Sequence, residues 1–384
     1  MGAAFLILSF FSAGCAAADA VWADEISLSG EETVPLQTEK STEQVLKIDT
    51  DDAKGPAEDT AEKEKREGSL LFAGDIYLSE HVLRAYDGAG GINGVLDDGL
   101  RKEIEEADIF MANQEFPFSD RGNPAADKQF TFRLPPSRVS VLGDIGVDIV
   151  TLANNHALDY GSDALTDTCR TLDEAGILRV GAGENREEAA RAEIMDLNGI
   201  SVGFVGASRV FPTADWAAGA SHIGMLSAYD AEGFLEAVRQ ARQQCDYLVV
   251  YVHWGIERDT VPQTYQRQLA YQAVDAGADM VVGSHPHVLQ GIEYYKGKPI
   301  LYSLGNFVFG SSIPETMLVR ASVDETGETQ LTLIPATSSA GYTRELEEDK
   351  KAAFYQKIEG LSTGIRIDGT GDVYQEDVDT NKSP

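Results

Sequence analysis

The sequence predicts an α/β or α+β sandwich: one domain, two sheets, helices on the outside. Three observations lead there. Short β-rich runs alternate with amphipathic helical stretches. Turn pairs add antiparallel hairpins to that alternation, and helices between strands plus hairpins give layered sheets. The globular stretch, residues 68–368, is long enough to bury a sizeable core.

The elements follow in order. Strands are expected at Ser69–Leu78, Ile109–Phe116, Val147–Leu152, Ser201–Gly206, Asp246–His253, Asp279–Val282 and Pro299–Phe309. Helices are expected at Asp97–Ala107, Ser162–Ala175, Ala231–Gln244 and Tyr265–Ala276, where apolar residues recur at helical spacing. Asn198-Gly199 and Lys296-Gly297 read as tight hairpin turns. The run Met317–Ile334, broken by Glu325-Thr326-Gly327, reads as a third hairpin.

Outside this domain the composition changes. Residues 1–20 hold an apolar run, Ala3–Ala13, too short to span a bilayer but suited to a signal-peptide core. Ser12-Ala13-Gly14-Cys15 resembles a bacterial lipobox, which makes 1–20 a lipoprotein leader with Cys15 as the lipidated residue; ordinary cleavage after the following Ala-rich stretch is the alternative. Residues 21–67 are Glu-, Asp-, Thr- and Lys-rich and read as a disordered acidic linker, since they cannot bury enough apolar surface to offset ordering entropy. Residues 369–384 read as a flexible tail. The whole chain carries 31 basic and 63 acidic side chains, a formal charge of −32. That balance argues against a nucleic-acid partner, which needs a cationic face. Three cysteines exclude a disulfide scaffold and a four-cysteine zinc site. Cys169 and Cys245 read as buried thiols in helices, with pairing between them left open.

The chemistry-bearing residues come directly after strands. Asp75 ends SLLFAGD; Asn113 and Glu115 end IFMANQE; Asn154, Asn155 and His156 end DIVTLANNH. His253, Trp254, Gly255 and Glu257 end YLVVYVHWGIE; His285 and His287 end MVVGSHPH; Ser303, Gly305 and Asn306 close ILYSLGNF. Four of the six histidines fall in these motifs. In His285-Pro286-His287 an extended backbone would put both imidazoles on one side, about 6–7 Å apart along the chain. Imidazoles with carboxylates and an amide oxygen suit a borderline divalent ion, Mn, Fe or Zn, one or two per chain. A pair of such ions polarises a phosphoryl group and activates water. Asp75, Glu115, Asn155, His253, His285 and His287 supply enough ligands for it.

In this order, FAGD, ANQEFPF, LANNHALDYG, VHWGIE, VGSHPHVLQGIE and YSLGNFVF resemble the bacterial capsule synthesis protein family, CapA, called PgsA in poly-γ-glutamate systems; the match runs from about Ser69 to about Phe309. The resemblance implies an α+β calcineurin-like metallophosphoesterase fold, a four-layer sandwich of two mixed sheets flanked by helices. It also implies an extracytoplasmic, membrane-anchored component of poly-γ-glutamate capsule synthesis. Its partners would be capsule synthase and export subunits in the membrane, an anionic polymer, and the membrane itself through the N-terminal anchor. By the family's ligand pattern Asp75 and His287 belong to a first metal, Asn155, His253 and His285 to a second, and Glu115 to the bridging position. His156 matches the histidine that protonates a leaving group or steadies a phosphoryl oxygen. The pattern departs at Tyr77, which stands where phosphoesterases place a ligand histidine, and at Glu115, where they place Asp.

The remaining residues carry two readings each. Asn113 and Asn154 line or support the pocket, with Asn154 and Asn155 as plain turn-formers in the alternative. Trp254 is a pocket wall or a core aromatic. Glu257 orients a ligand histidine or is solvated. Ser303 with Asn306 forms a capped turn lining the pocket, with a nucleophile as the alternative. Arg133 and Arg209 are candidate anion anchors because they follow strand ends. Three functions fit: an accessory protein of an anionic polypeptide capsule, an exported metal-dependent phosphoesterase acting on envelope phosphodiesters or nucleotides, and a non-catalytic scaffold.

Overall fold

Strand Glu67–Ile76 lies in the middle of the larger of the two main sheets and alternates its side chains between two cores. The computed structural model describes residues 66–376. The leader at 1–20, nearly all of the acidic stretch at 21–67, and residues 377–384 lie outside the described residues. On one side of the strand, Leu70 and Phe72 pack with Met111, Tyr247, Val249, Tyr251 and Val282 in a core between the two sheets. On the other, Leu71 and Ala73 pack with Val82, Leu100, Leu142 and Leu165 from covering helices. The smaller sheet repeats the logic: Leu248, Val250 and Val252 turn outward against Phe234, Val238, Leu269 and Ala273. Two-residue periodicity thus builds helix, sheet, sheet and helix layers. This is the four-layer α+β sandwich that the family resemblance implies.

In the larger sheet Glu67–Ile76, Ile109–Gln114, Ile149–Thr151 and Leu178–Val180 run parallel. Ser312–Asp324 and Thr329–Ser339 extend the sheet in antiparallel fashion. In the smaller sheet Ile200–Ser208, Tyr247–His253 and Met280–Ser284 run parallel in register, with Ser208 opposite His253 and His253 opposite Ser284. The ends of these parallel strands converge on one edge of the sandwich. Sites of α/β sheets collect at such edges.

Most expected elements match within a few residues, and all three hairpins form. Asn198 and Gly199 both take positive φ, 53° and 84°, as do Lys296 and Gly297, 51° and 76°, the geometry that sends the chain straight back. Three expectations are corrected. The run Pro299–Phe309 is two strands in different sheets: Lys298–Leu301 joins the smaller one, and Asn306–Val308 pairs with the end of Glu67–Ile76 in the larger. Gly305, at φ 61°, makes the corner between them. The tail expected from 369 contains the strand Asp372–Gln375, which pairs with Thr329–Ser339 and buries Val373, so the ordered domain reaches Glu376. Helices Glu80–Ala89, Val139–Ile145 and Glu348–Leu361 have no counterpart in the sequence reading. Cys169 and Cys245 are unpaired thiols, and burial pushes the Cys169 thiol up to about 11.

Two stability predictions follow from these contacts. Val373→Ala is expected to cost about 2 kcal/mol in chemical denaturation; no change would mean that the last strand is not part of the cooperative core. The Arg121 guanidinium holds the Asp167 carboxyl at about 2, below its usual 3.8. A depressed carboxyl contributes stability in full above its unfolded pKa and loses it as pH falls toward the folded one. Asp167→Asn should therefore lower stability at neutral pH by about 1–2 kcal/mol, and the gap to wild type should close between about pH 4 and pH 2.

Candidate metal centre

Where the strand Glu67–Ile76 changes neighbours, it sets the first side chain of the site. Its first half pairs with Ser312–Asp324 and its end with Asn306–Val308. At the switch the Asp75 N–H donates to the Gly305 carbonyl at 2.8 Å. That carbonyl comes so close to Gly74 that a Cβ there would sit 1.8 Å from the oxygen. Only glycine allows the approach. Asp75 is fully buried, and its Oδ1 accepts from Asn113 Nδ2 at 2.8 Å.

Glu115 follows the neighbouring strand, its backbone N–H held by the Ile76 carbonyl at 2.9 Å. Its side chain is fully buried, and neither oxygen has a hydrogen-bond partner among the described residues. Burial, then the nearby Asp75 charge, pushes its pKa well above the usual range. His253 Nε2 stands 3.6 Å from one oxygen and His287 Nδ1 3.9 Å from the other. The donor atoms of Glu115, His253 and His285 all lie within 4.8 Å of one another, and so do those of Asp75, Glu115 and His287. Glu115 belongs to both groups.

The histidines are held one by one. His253 Nδ1 is 2.9 Å from Ser284 Oγ, and Nε2 is 2.9 Å from Asn155 Oδ1. Burial pushes its pKa well down, with the neighbouring imidazoles adding to the effect. His285, pushed down to about 4 by burial and then by His287, also has an unpartnered buried Nδ1. His287 Nδ1 lies 2.8 Å from Asn306 Oδ1 and 3.4 Å from Asp75 Oδ2. Burial opposes its charge, but Glu115 and Asp75 overcome it and hold the imidazole up to about 10. The backbone of this pair corrects the extended reading. His285 has φ 98° and His287 φ 57°, a conformation that non-glycine residues rarely adopt. The two rings still face one cluster, 5.9 Å apart.

His156 stands beside this cluster. Its Nδ1 is 2.6 Å from Asp159 Oδ2, which leaves Nε2 as the nitrogen available to a ligand. Lys128 reaches in from the loop after Glu115 and bonds Asp159 and the Asn155 carbonyl. Burial lowers the His156 pKa against the pull of Asp159. Phe132 stacks on the His156 ring at 4.1 Å, and Tyr77 stacks on Phe132 at 3.9 Å. Tyr77 is therefore the far end of an aromatic stack, outside both donor groups.

The supporting residues divide. Asn154 donates to the Asn113 Oδ1 and accepts the His156 N–H, so both asparagines brace residues of the site from behind. Asn306 holds His287. Ser303 caps a turn, donating to the Val288 carbonyl and accepting from Gly305. Two residues with open alternatives are decided. Trp254 is the core aromatic, fully buried with its N–H donating to the Tyr302 carbonyl, and not the pocket wall. Glu257 is the solvated one of its two readings, exposed and bonding no histidine among the described residues. Sequence reasoning missed Ser284, Lys128, Phe132 and Asp159. Asp159, three residues after His156 in the same turn, was the one with a local signal.

A cavity of about 350 Å³ opens beside His287 and Asn306 and runs past Thr260 toward Lys357. A roomier one, about 590 Å³, lies elsewhere, between helices Arg186–Ala190 and Ala231–Arg242. Met225 is among its lining residues, and its sulfur accepts the Asn154 N–H at 3.2 Å.

The family described as bacterial capsule synthesis protein PGA_cap matches residues 69–311. The chain belongs to that family. All the residues of the two donor groups, with Asn155, His156, Lys128, Asp159 and Ser284, fall inside the PGA_cap match. The PGA biosynthesis protein CapA of Bacillus subtilis is 36% identical over 63% of this chain and 63% of its own length. The capsule biosynthesis protein CapA of Bacillus anthracis is 31% identical over 79% of this chain and 75% of its own. A solved structure described as a novel phosphatase of Mycoplasma pneumoniae aligns with 72% of this chain and 95% of its own, at 13% identity and TM-score 0.47.

The site's supports are separable from its donor groups by mutation. Gly74→Ala should lower divalent-ion content sharply without touching a donor residue, because Asp75 can no longer bond Gly305; full retention would show that the close approach is not needed. Ser284→Ala and Asn306→Ala should each weaken Mn²⁺ or Zn²⁺ binding about 10-fold in equilibrium titration, the usual effect of removing a residue that orients a ligand histidine.

Proposed function

We propose that this chain is a membrane-tethered, extracytoplasmic component of poly-γ-glutamate capsule biosynthesis, working through a divalent-metal cleft that binds or processes the polymer. The observation that carries the cleft reading is Glu115: a buried carboxyl group, neither oxygen with a hydrogen-bond partner among the described residues, shared by two groups of donor atoms. Such a group is costly unless a cation completes it. The residues therefore fit a pair of divalent ions, with Asp75 and His287 holding one, His253, His285 and Asn155 the other, and Glu115 between them. Bound there, such ions supply Lewis-acid polarisation of a phosphoryl or carbonyl oxygen.

The chain's own residues supply the rest. Ser284 and Asn306 fix the rings of His253 and His287. Asp159 fixes the His156 tautomer, so that Nε2 is the atom that gives or takes a proton at the substrate. Phe132 and Lys128 keep that imidazole from swinging away. The capsule process is supported by family membership, and the tether and location by the reading of residues 1–20 as a lipoprotein leader. The partners in this reading are the membrane synthase and export subunits and the anionic polymer. The His156–Asp159 pair favours a second reading, an exported phosphoesterase acting on envelope phosphodiesters or nucleotides.

Metal analysis of the purified protein beside a His285→Ala/His287→Ala double variant tests the cleft: about two equivalents are expected, falling sharply in the variant, and a wild-type protein that holds none after Mn²⁺ or Zn²⁺ soaking sinks it. A strain lacking the gene should lose cell-surface polymer and regain it with the wild-type gene only. Mn²⁺-dependent hydrolysis of a simple phosphodiester, lost in His156→Ala, with polymer intact in the deletion strain, would instead establish the second reading.

A further inference from the structure

Arg209 begins the segment that leaves the strand Ile200–Ser208 at the site edge. Its backbone N–H donates to the His253 carbonyl at 2.8 Å, one step beyond the row in which Ser208, His253 and Ser284 lie side by side. Its guanidinium carbon lies 4.4 Å from the centre of the Tyr265 ring and 5.2 Å from that of Tyr229. Tyr265 is itself pinned, its hydroxyl accepting the N–H of Gly255 at 2.8 Å in the segment that leaves His253. Tyr229 is 57% exposed and forms the outer wall of this holder. So two aromatic rings hold the guanidinium, and a backbone bond ties the arginine to the carbonyl of the donor His253.

No carboxylate or carbonyl accepts from that guanidinium among the described residues. Its neighbours are differently placed. Lys128 is taken by Asp159, and Lys357, at the far end of the cavity beside His287, by Glu315. In a chain with 63 acidic and 31 basic side chains, a fixed arginine without an acid is an uncommitted recognition group. The two rings contact the guanidinium through their faces and make no hydrogen bond with it, so its N–H donors are free for a carboxylate or phosphate, which a guanidinium takes through two parallel hydrogen bonds.

We propose that Arg209 is the oxyanion-recognition residue of this cleft, receiving a carboxylate or phosphate that the substrate carries next to its reacting group. The inference rests on the reading of the cleft as a metal-bearing, substrate-binding one. An acidic polypeptide offers such a carboxylate at every residue, and a phosphodiester offers a second phosphate oxygen. The net charge of the chain repels both, so a local cation in the segment next to His253 favours the entry of either.

Isothermal titration of the metal-loaded full chain tests this, with a short oligo-γ-glutamate and inorganic phosphate as separate probes and metal content measured for each protein. Arg209→Ala should bind its probe about 10- to 100-fold more weakly, the usual loss for a charge-assisted pair, with metal content and melting temperature unchanged. Arg209→Lys should recover part of the loss, since the charge returns without the planar fork. Weakening for the oligomer alone identifies a carboxylate, and for phosphate alone a phosphate. Equal affinity of wild type and Arg209→Ala for both probes overturns the proposal, as does a metal-bearing wild type that binds neither. A wild type without metal would count against the metal centre, while the affinity comparison still decides Arg209. Should the alanine variant melt early, Arg209→Lys and Tyr229→Ala carry the comparison.

Discussion

Glu115 is the point on which the arrangement turns. A carboxylate removed from water with both oxygens unpartnered costs several kcal/mol unless charge is brought to it. The protein brings what it has: the His287 imidazole, held up to about 10 against burial by Glu115 and Asp75, sits 3.9 Å away. His253 and His285, pushed the other way by burial, complete the ring of donors. Imidazoles of His253 and His285 on one side of Glu115, and Asp75 with His287 on the other, make a donor set that suits dications better than any side chain present.

The fold exists to hold that group still. Asp75 and Glu115 come from neighbouring parallel strands of the larger sheet, and His253 and His285 from the ends of neighbouring strands of the smaller one. The core between the sheets, from Leu70 and Phe72 to Tyr251 and Val282, fixes the distance between the two pairs. The Tyr251 hydroxyl crosses it to bond the Ala73 carbonyl at 2.8 Å, directly below Asp75. The strained backbone at His285 and His287 is tolerated because the surrounding bonds over-determine it; Asn306 grips one imidazole and Ser303 ties down the turn that follows.

Tyr77 shows how a departure from a motif is absorbed. In place of a ligand histidine, the ring stacks on Phe132, and Phe132 stacks on His156. The residue leaves the donor groups but remains coupled to the proton-handling imidazole, two rings away. The first donor group is thereby one residue poorer than the second, which has Asn155 beside His253.

Much of this was legible in the chain itself. Strand runs ending in Asp75, Glu115, His253 and His285, and the Asn-His pair after DIVTLA, are local patterns, because a strand end and its polar successor are neighbours in sequence. Hairpins at Asn198-Gly199 and Lys296-Gly297 were equally local, since a two-residue turn ending in glycine is written in the turn residues themselves. Four features had to wait for tertiary structure. The sheets split Pro299–Phe309 between them because packing, not propensity, decides which strand a short run joins. Lys128 and Phe132 enter from a loop with no periodicity. Trp254 faces the core although it adjoins a site histidine, because alternation along the chain turns it the other way. Arg209 is set by two tyrosines, one twenty and the other fifty-six residues downstream. The sequence names the donor residues because each is determined by its own strand; which of them share an ion-sized space depends on the distance between two sheets, and only the packed core sets that.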